Sequence, residues 1–407
     1  MTSAILISPD IVPVSLKQDA QVIGLVGLAH ASSHFAHLLL PLMFPVFISE
    51  FGLSYSELGF LMTVFFVVSG IGQACAGFVV DRFGARPILF AAMSIFVLSC
   101  IAASSVTGYV GLLGVAMLAG LGNSPFHPVN FTILNQRVSA PRLGHAFSAH
   151  SLTGNLGWAV APLFLVGISE LSNWRVAYLA AALLYVGVIV LLFAQRDKLL
   201  TEVIIRPPDH KGQTDLAYLK LPVIWWCFAF FMFSTMTLAL VQNYAVSLLK
   251  AMHGVNYQMA SLTLTAYMLA AAVGISVGGF VAGRKMNSDR VVAICMATGA
   301  ALLALCGSGI LGGVGTMVVL AMTGFAIGIG APSRDMMVKQ ATPKGATGRV
   351  YGTVYSGFDV GFAVAPVLFG AFMDRGWYST VFYGATVVLV LSVFTACGVG
   401  KRTGTAA

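Results

Sequence analysis

The sequence predicts an all-α polytopic membrane protein, with twelve transmembrane helices in two pseudo-symmetric six-helix bundles. Three observations predict it. The 407 residues are 58% apolar and only 9% charged, against about 25% charged in a soluble domain, so a water-facing surface could not be covered. Apolar stretches near the ~20 residues that span a bilayer recur twelve times. Features of the first half return in the second at an offset of 202–204 residues, as duplicated bundles require.

Residues 1–21 form a short polar N-terminal tail. No basic segment leads into an apolar core and cleavage site, so no cleaved signal peptide is expected. The N-terminal bundle, 22–193, holds the stretches Val22–Ile48, Glu57–Val80, Pro87–Val106, Tyr109–Leu134, His145–Ile168 and Trp174–Phe193. Residues 194–221 are polar, contain Pro207-Pro208 and charges of both signs, and read as a linker. The C-terminal bundle, 222–398, holds Pro222–Leu249, Tyr257–Ala282, Val291–Leu311, Thr316–Val338, Val350–Met373 and Tyr378–Gly398, and 399–407 is a second tail. The repeat is visible in Phe51-Gly-Leu-Ser-Tyr-Ser-Glu57 against His253-Gly-Val-Asn-Tyr-Gln-Met259. It returns in Gly157-Trp-Ala-Val-Ala-Pro162 against Gly361-Phe-Ala-Val-Ala-Pro366.

Loop cations set the orientation. With the N-terminus inside, eighteen of the 22 Lys and Arg fall in cytoplasmic segments and three outside, and Arg334 alone stays in the membrane. Both termini are therefore expected in the cytoplasm. The net charge of +8 is spread over these loops, and no dense basic patch suggests nucleic acid. The six cysteines lie in apolar stretches without ligand spacing, so neither a disulfide framework nor a zinc site is expected. No GxxxxGK[ST] occurs, which argues against ATP as the drive.

The loop after the second stretch reads Gly77-Phe-Val-Val-Asp-Arg-Phe-Gly-Ala-Arg-Pro87, and a worn copy stands at Gly279-Phe-Val-Ala-Gly-Arg284. With twelve spans and a long central linker, Gly77, Asp81, Arg82, Gly84 and Arg86 resemble the loop 2–3 signature of the major facilitator superfamily. The resemblance covers about residues 20–400. It implies secondary transport by alternating access. It also implies a conformational gate in which Asp81 and Arg82 contact the facing half, with Arg284 in the second copy, where Gly283 replaces the acid. Phe126-His-Pro128 with Gly154-Asn-Leu-Gly157 resembles the fosmidomycin-resistance branch of bacterial efflux proteins, which implies a bacterial inner membrane. Gly157, Ala161 and Pro162 resemble a helix-packing motif of drug–proton antiporters, repeated at Gly361 and Pro366. The chain departs from that motif at Ala161, where Gly is usual. It departs again at Ala116, where the antiporters carry Arg.

Ionisable groups in the bilayer cost ~2.5–3.5 kcal/mol each on insertion scales, so each needs a reason. His30, His34 and His37 share one face of the first helix at i, i+4 and i+7. They read either as a cavity stripe for an anion or a proton, or as neutral groups bonded between helices. A metal on this triad is not expected. His127 lies between Pro125 and Pro128, which disturb the fourth helix and can open it onto a cavity. Its counterpart region is Ala331-Pro-Ser-Arg-Asp335. Arg334 reads as an anion site or as a structural partner of Asp335 or Asp359. Asp359 lies mid-span, with Asn155 at the matching place in the first half. Gln242 and Asn243 offer a neutral hydrogen-bonding surface, and His150 is a weaker cavity candidate. Trp174, Trp377 and Tyr378 read as an interfacial belt.

These residues describe a secondary active transporter, acting as a monomer and without a cofactor. The substrate is a small organic anion or amphiphile, coupled to protons. Efflux of a drug-like compound leads on the branch resemblance, and uptake of an organic acid is the alternative. A sensor or scaffold that does not transport is a third. No nucleophile–base set points to an enzyme.

Overall fold

The computed structural model describes residues 15–202, 216–282, 287–342 and 347–404, and these form helices joined by short turns, with no strand among them. Twelve spans follow in order. α1 is in three pieces, Leu16–His37, Leu39–Leu42 and Phe44–Phe51. α2 is Tyr55–Phe83 and α3 is Ala85–Ser105. α4 is in two pieces, Tyr109–Asn123 and Phe126–Arg137, and then come α5 Leu143–Leu171 and α6 Trp174–Ala194. The second half holds α7 Pro222–His253, α8 Tyr257–Ala282, α9 Ser288–Gly307, α10 Gly313–Ala341, α11 Thr347–Asp374 and α12 Tyr378–Gly404. Eleven of the twelve are long and apolar enough to cross a membrane. The exception is α1, whose His and Ser residues lower its hydropathy.

Proline explains the interrupted helices. Pro41 brings no N–H, and its ring collides with the carbonyl four residues back, which belongs to His37. The first piece of α1 ends there. Pro128 acts in the same way on Ser124, and α4 breaks at Ser124–Pro125. Two histidines, His37 and His127, thus sit beside mid-membrane breaks. α10 by contrast runs unbroken through Pro332.

Close helix approach is placed symmetrically. A Cβ on Gly157 of α5 would lie 2.9 Å from the Ala31 carbonyl carbon of α1, and one on Gly361 of α11 would lie 2.6 Å from the Met232 carbonyl oxygen of α7. Glycine therefore lets these backbones touch. The bundles meet along two seams, α2 against α11 and α5 against α8. Each carries a threonine bond to a carbonyl three residues before a helix-interior proline. Thr63 donates to Ala363 and Thr265 donates to Ala159. These pairs repeat at the spacing seen in the sequence.

One end of the seam is locked. The Asp374 carboxylate, from the end of α11, accepts from the Tyr55 and Ser56 backbone N–H groups (2.6 and 2.9 Å) and caps the first turn of α2 across the divide. Tyr244 of α7 donates to Pro366 O and lies 3.3 Å from Tyr55 O. Tyr257 of α8 donates to Leu42 O. Toward the other end a Cβ on Gly77 of α2, or on Gly279 of α8, would meet nothing within 4 Å. The cleft between the bundles is therefore closed at the end carrying Tyr55 and Asp374.

Trp174 differs from expectation. It is only 4% exposed, packed on Phe47 and Phe51 with its N–H on Glu50. The Arg175–Glu50 pair beside it (2.7 Å) makes this a packed corner instead of a lipid belt, whereas Trp377 is exposed.

Candidate functional site

The N-terminal bundle gathers five of its histidines. Ring centroids of His30 lie 4.3 Å from His34, 3.5 Å from His150 and 5.6 Å from His127, and His34 lies 5.1 Å from His37. α1 supplies three, α4 supplies His127 and α5 supplies His150. Gly154 of α5 makes room for them, since a Cβ there would lie 2.6 Å from His34 and 2.8 Å from His30.

The five are not equivalent. His37 is fully engaged. Its Nε2–H donates to Asn123 Oδ1 (3.1 Å) and its Nδ1 accepts from the Trp158 indole N–H (3.3 Å). Asn123 also accepts from Ser33 and donates to Ser69. This pattern belongs to a neutral histidine that ties α1, α2, α4 and α5 together. His30 donates from Nδ1 to the His150 carbonyl (2.7 Å), which leaves its buried Nε2 as a lone pair with no partner among the described residues. His34 stacks on Trp158 at 4.1 Å, and its Nδ1 is likewise buried without a partner. His150 Nε2 lies 3.2 Å from Asn130 Nδ2. His127 is exposed.

His30, His127 and His150 each bring one nitrogen within 4.8 Å of the other two, the spacing of a three-imidazole metal site. The ring planes argue against one. His30 and His150 lie face to face, 15° from parallel, and a lone pair points along its ring plane. An ion about 2.0–2.1 Å from each nitrogen would have to sit roughly half the stacking distance out of both planes. The stacked pair therefore does not converge on one ion.

The C-terminal bundle presents Arg334 of α10. Its Nε donates to Asp335 (2.9 Å), and its guanidinium lies 5.2 Å from the Phe231 ring of α7 and 5.6 Å from the Phe358 ring of α11. Tyr355 also reaches Asp335 (3.4 Å). The Arg334 side chain is 24% exposed and that of Asp335 46%. The sequence left Asp335 and Asp359 as alternative partners, and the structure pairs Arg334 with Asp335. Asp359 instead faces Gly70 of α2 across the seam, where a Cβ on that glycine would lie 3.4 Å from the Asp359 Cβ. Asn155 is half-exposed on α5, bonded to the Ser151 carbonyl. Gln242 and Asn243 are buried, with Gln242 Nε2 and Asn243 Oδ1 unpartnered among the described residues.

The C-terminal part of the loop signature packs within its own half. Gly84 turns the chain with φ 82°, the Ala85 N–H bonds Thr201, and Arg86 reaches Arg196 O and Asp197 (3.8 Å) at the start of the linker. Asp81 and Arg82 are exposed, and Arg284 lies outside the described residues. Asn123 and Trp158 escaped the sequence reading. They are common residue types, and only their hydrogen-bond geometry marks them.

Comparison with known proteins agrees with this architecture. The family model described as Major Facilitator Superfamily matches residues 26–249 and again 228–403. Fosmidomycin resistance protein of Escherichia coli (strain K12) is 27% identical, over 67% of each chain. Hexuronate transporter of Bacillus subtilis (strain 168) is 23% identical, over 96% of this chain and 98% of that one. Among solved structures, a point mutant of the nucleoside transporter NupG superposes with a TM-score of 0.75 at 16% identity, covering 94% of this chain and 99% of that one, a likeness of fold.

Proposed function

This chain belongs to the major facilitator superfamily, as a multi-pass membrane transporter and not an enzyme, and we propose that it carries a small organic anion, driven by protons, through the cleft between its bundles. Arg334 carries the reading. A guanidinium in a span is costly in lipid, and its single carboxylate partner among the described residues leaves most of its five donors for a ligand. The faces of Phe231 and Phe358 hold it in place. The hexuronate transporter, similar over nearly the whole chain, moves an anion of that class by its name. Asp359, at the seam and away from Arg334, and the histidines of the facing bundle are the groups able to take the coupling proton.

The lysine and arginine distribution supports cytoplasmic termini, and the reading takes the chain as a monomer in a bacterial inner membrane. The end closed by Asp374 then faces outward. Efflux of a drug-like compound is the second reading, favoured by the likeness to a fosmidomycin resistance protein.

Transport of labelled glucuronate and of fosmidomycin into and out of reconstituted vesicles, with an imposed pH gradient, tests both. Arg334→Ala is expected to cut transport at least about tenfold, since it removes charged hydrogen bonds. Asp359→Asn is expected to uncouple transport from the gradient. Undiminished, gradient-driven transport in both variants would remove these residues from the mechanism.

A further inference from the structure

We propose that His30, His34, His150 and His127 form one proton-binding site that holds a single proton, accepted at His30 Nε2, while His37 stays neutral. This rests on the proton-coupled reading above and deepens it by placing a proton on the histidine side of the pathway, separate from Asp359.

Geometry points to His30. Its Nδ1–H is committed to the His150 carbonyl, so its remaining nitrogen is a lone pair, and nothing among the described residues donates to it. That bare lone pair is where a proton adds, at the desolvation cost of a buried cation. The route in is His127, the exposed member, whose nitrogen lies within 4.8 Å of those of His30 and His150. One bridging water covers that span, at about 2.8 Å to each side. His34 extends the site along α1 through its own unpartnered Nδ1. The row stops at His37, where both ring nitrogens are engaged by Asn123 and Trp158. A proton there would break the indole bond.

One proton is the capacity. Neighbouring centroids lie 3.5–6.1 Å apart, and at an effective dielectric near 20 a second charge on an adjacent ring binds roughly a hundred- to a few thousandfold more weakly. The groups that face the row are Asn123 and Asn130 of α4, Thr153 and Trp158 of α5, Ser69, Phe65 and Phe66 of α2, and Phe362 of α11. None of these is an acid. An anion in the cleft supplies a countercharge that strengthens proton binding, so the two cross in the same direction.

The test needs no substrate. Full-length protein labelled with ¹⁵N-histidine is reconstituted in lipid vesicles, and its ring nitrogens are followed by solid-state NMR from pH 8.5 to 4.5. Assignments come from single His→Gln variants. The expected result is one imidazolium shared over the four rings, with His37 neutral throughout. His30→Gln abolishes the signal, and Asp359→Asn leaves it unchanged. Four rings that stay neutral to pH 4.5 would overturn the proposal. So would two row members charging together, or His37 charging first. A silent row leaves anion transport by Arg334 standing, and a failed transport assay leaves the titration standing.

Discussion

Gly59 is where one methyl group should change the state of the whole molecule. It lies on α2 at the locked end of the seam. A Cβ there would sit 2.6 Å from the Pro366 carbonyl carbon and 2.6 Å from the Tyr244 hydroxyl. Non-bonded carbons prefer about 3.5 Å or more, so the bundles must part by roughly 0.9 Å at this point. Neither neighbour yields easily, since one is backbone and the other is a fully buried ring. Overpacking of this kind costs about 1–3 kcal/mol. The parting also strains the Tyr244–Tyr55 and Thr63–Ala363 bonds, each worth about 1 kcal/mol net. These costs fall only on the state in which this end is closed. Gly59→Val should therefore shift the balance toward the alternative state by about ten- to a hundredfold.

Spin labels at Leu171→Cys and Ile310→Cys, in highly exposed positions on opposite bundles, report the opening by pulsed electron resonance. The distance distribution should move to longer values in Gly59→Val. Gly77→Val, placed where a side chain meets nothing, should not lengthen it. A Gly59→Val protein that folds and keeps the parent distribution would refute the idea that this seam holds the cleft shut.

Other perturbations follow from the same contacts. Asp374→Ala removes the cap on the first turn of α2; because Asp374 is exposed, the cost is about 1 kcal/mol, seen as a smaller shift in the same label distances. Gly154→Ala pushes a methyl into His34 and His30 and should lower the apparent melting temperature by a few degrees, for a cost of about 1–3 kcal/mol. The same substitution should erase the shared imidazolium signal. Arg334→Lys keeps the charge but loses the planar group between Phe231 and Phe358, and should recover little of the transport lost in Arg334→Ala. Full recovery in the vesicle assay would reduce Arg334 to a simple point charge.

Much of the architecture was legible from composition and spacing. The duplication could be read from motifs such as Gly157-to-Pro162 and Gly361-to-Pro366. The structure shows both glycines at helix contacts, with the α1–α5 pair mirrored by α7–α11. The proline break in α4 could also be read, because a missing N–H acts within four residues of its own position, whereas the break in α1 was not read and α10 runs on through Pro332. The partner of Arg334 was less legible: Asp335 and Asp359 both suited the charge, and side-chain direction chose Asp335. Among the histidines, i, i+4, i+7 spacing put three on one face of α1 but could not tell the satisfied His37 from the unsatisfied His30. Nor could it bring His150 of α5 to 3.5 Å from His30.

The sequence by itself determined that this chain spans a membrane in two repeated bundles and that a few ionisable groups stay within them, because hydropathy, periodicity and proline act locally along the chain. Tertiary structure alone decided which end of the cleft is closed, which histidine keeps a bare lone pair, and that Asp359 faces Gly70 across the seam. Those outcomes depend on how backbones approach and side chains point between helices far apart in sequence, and that information exists only once the bundles pack.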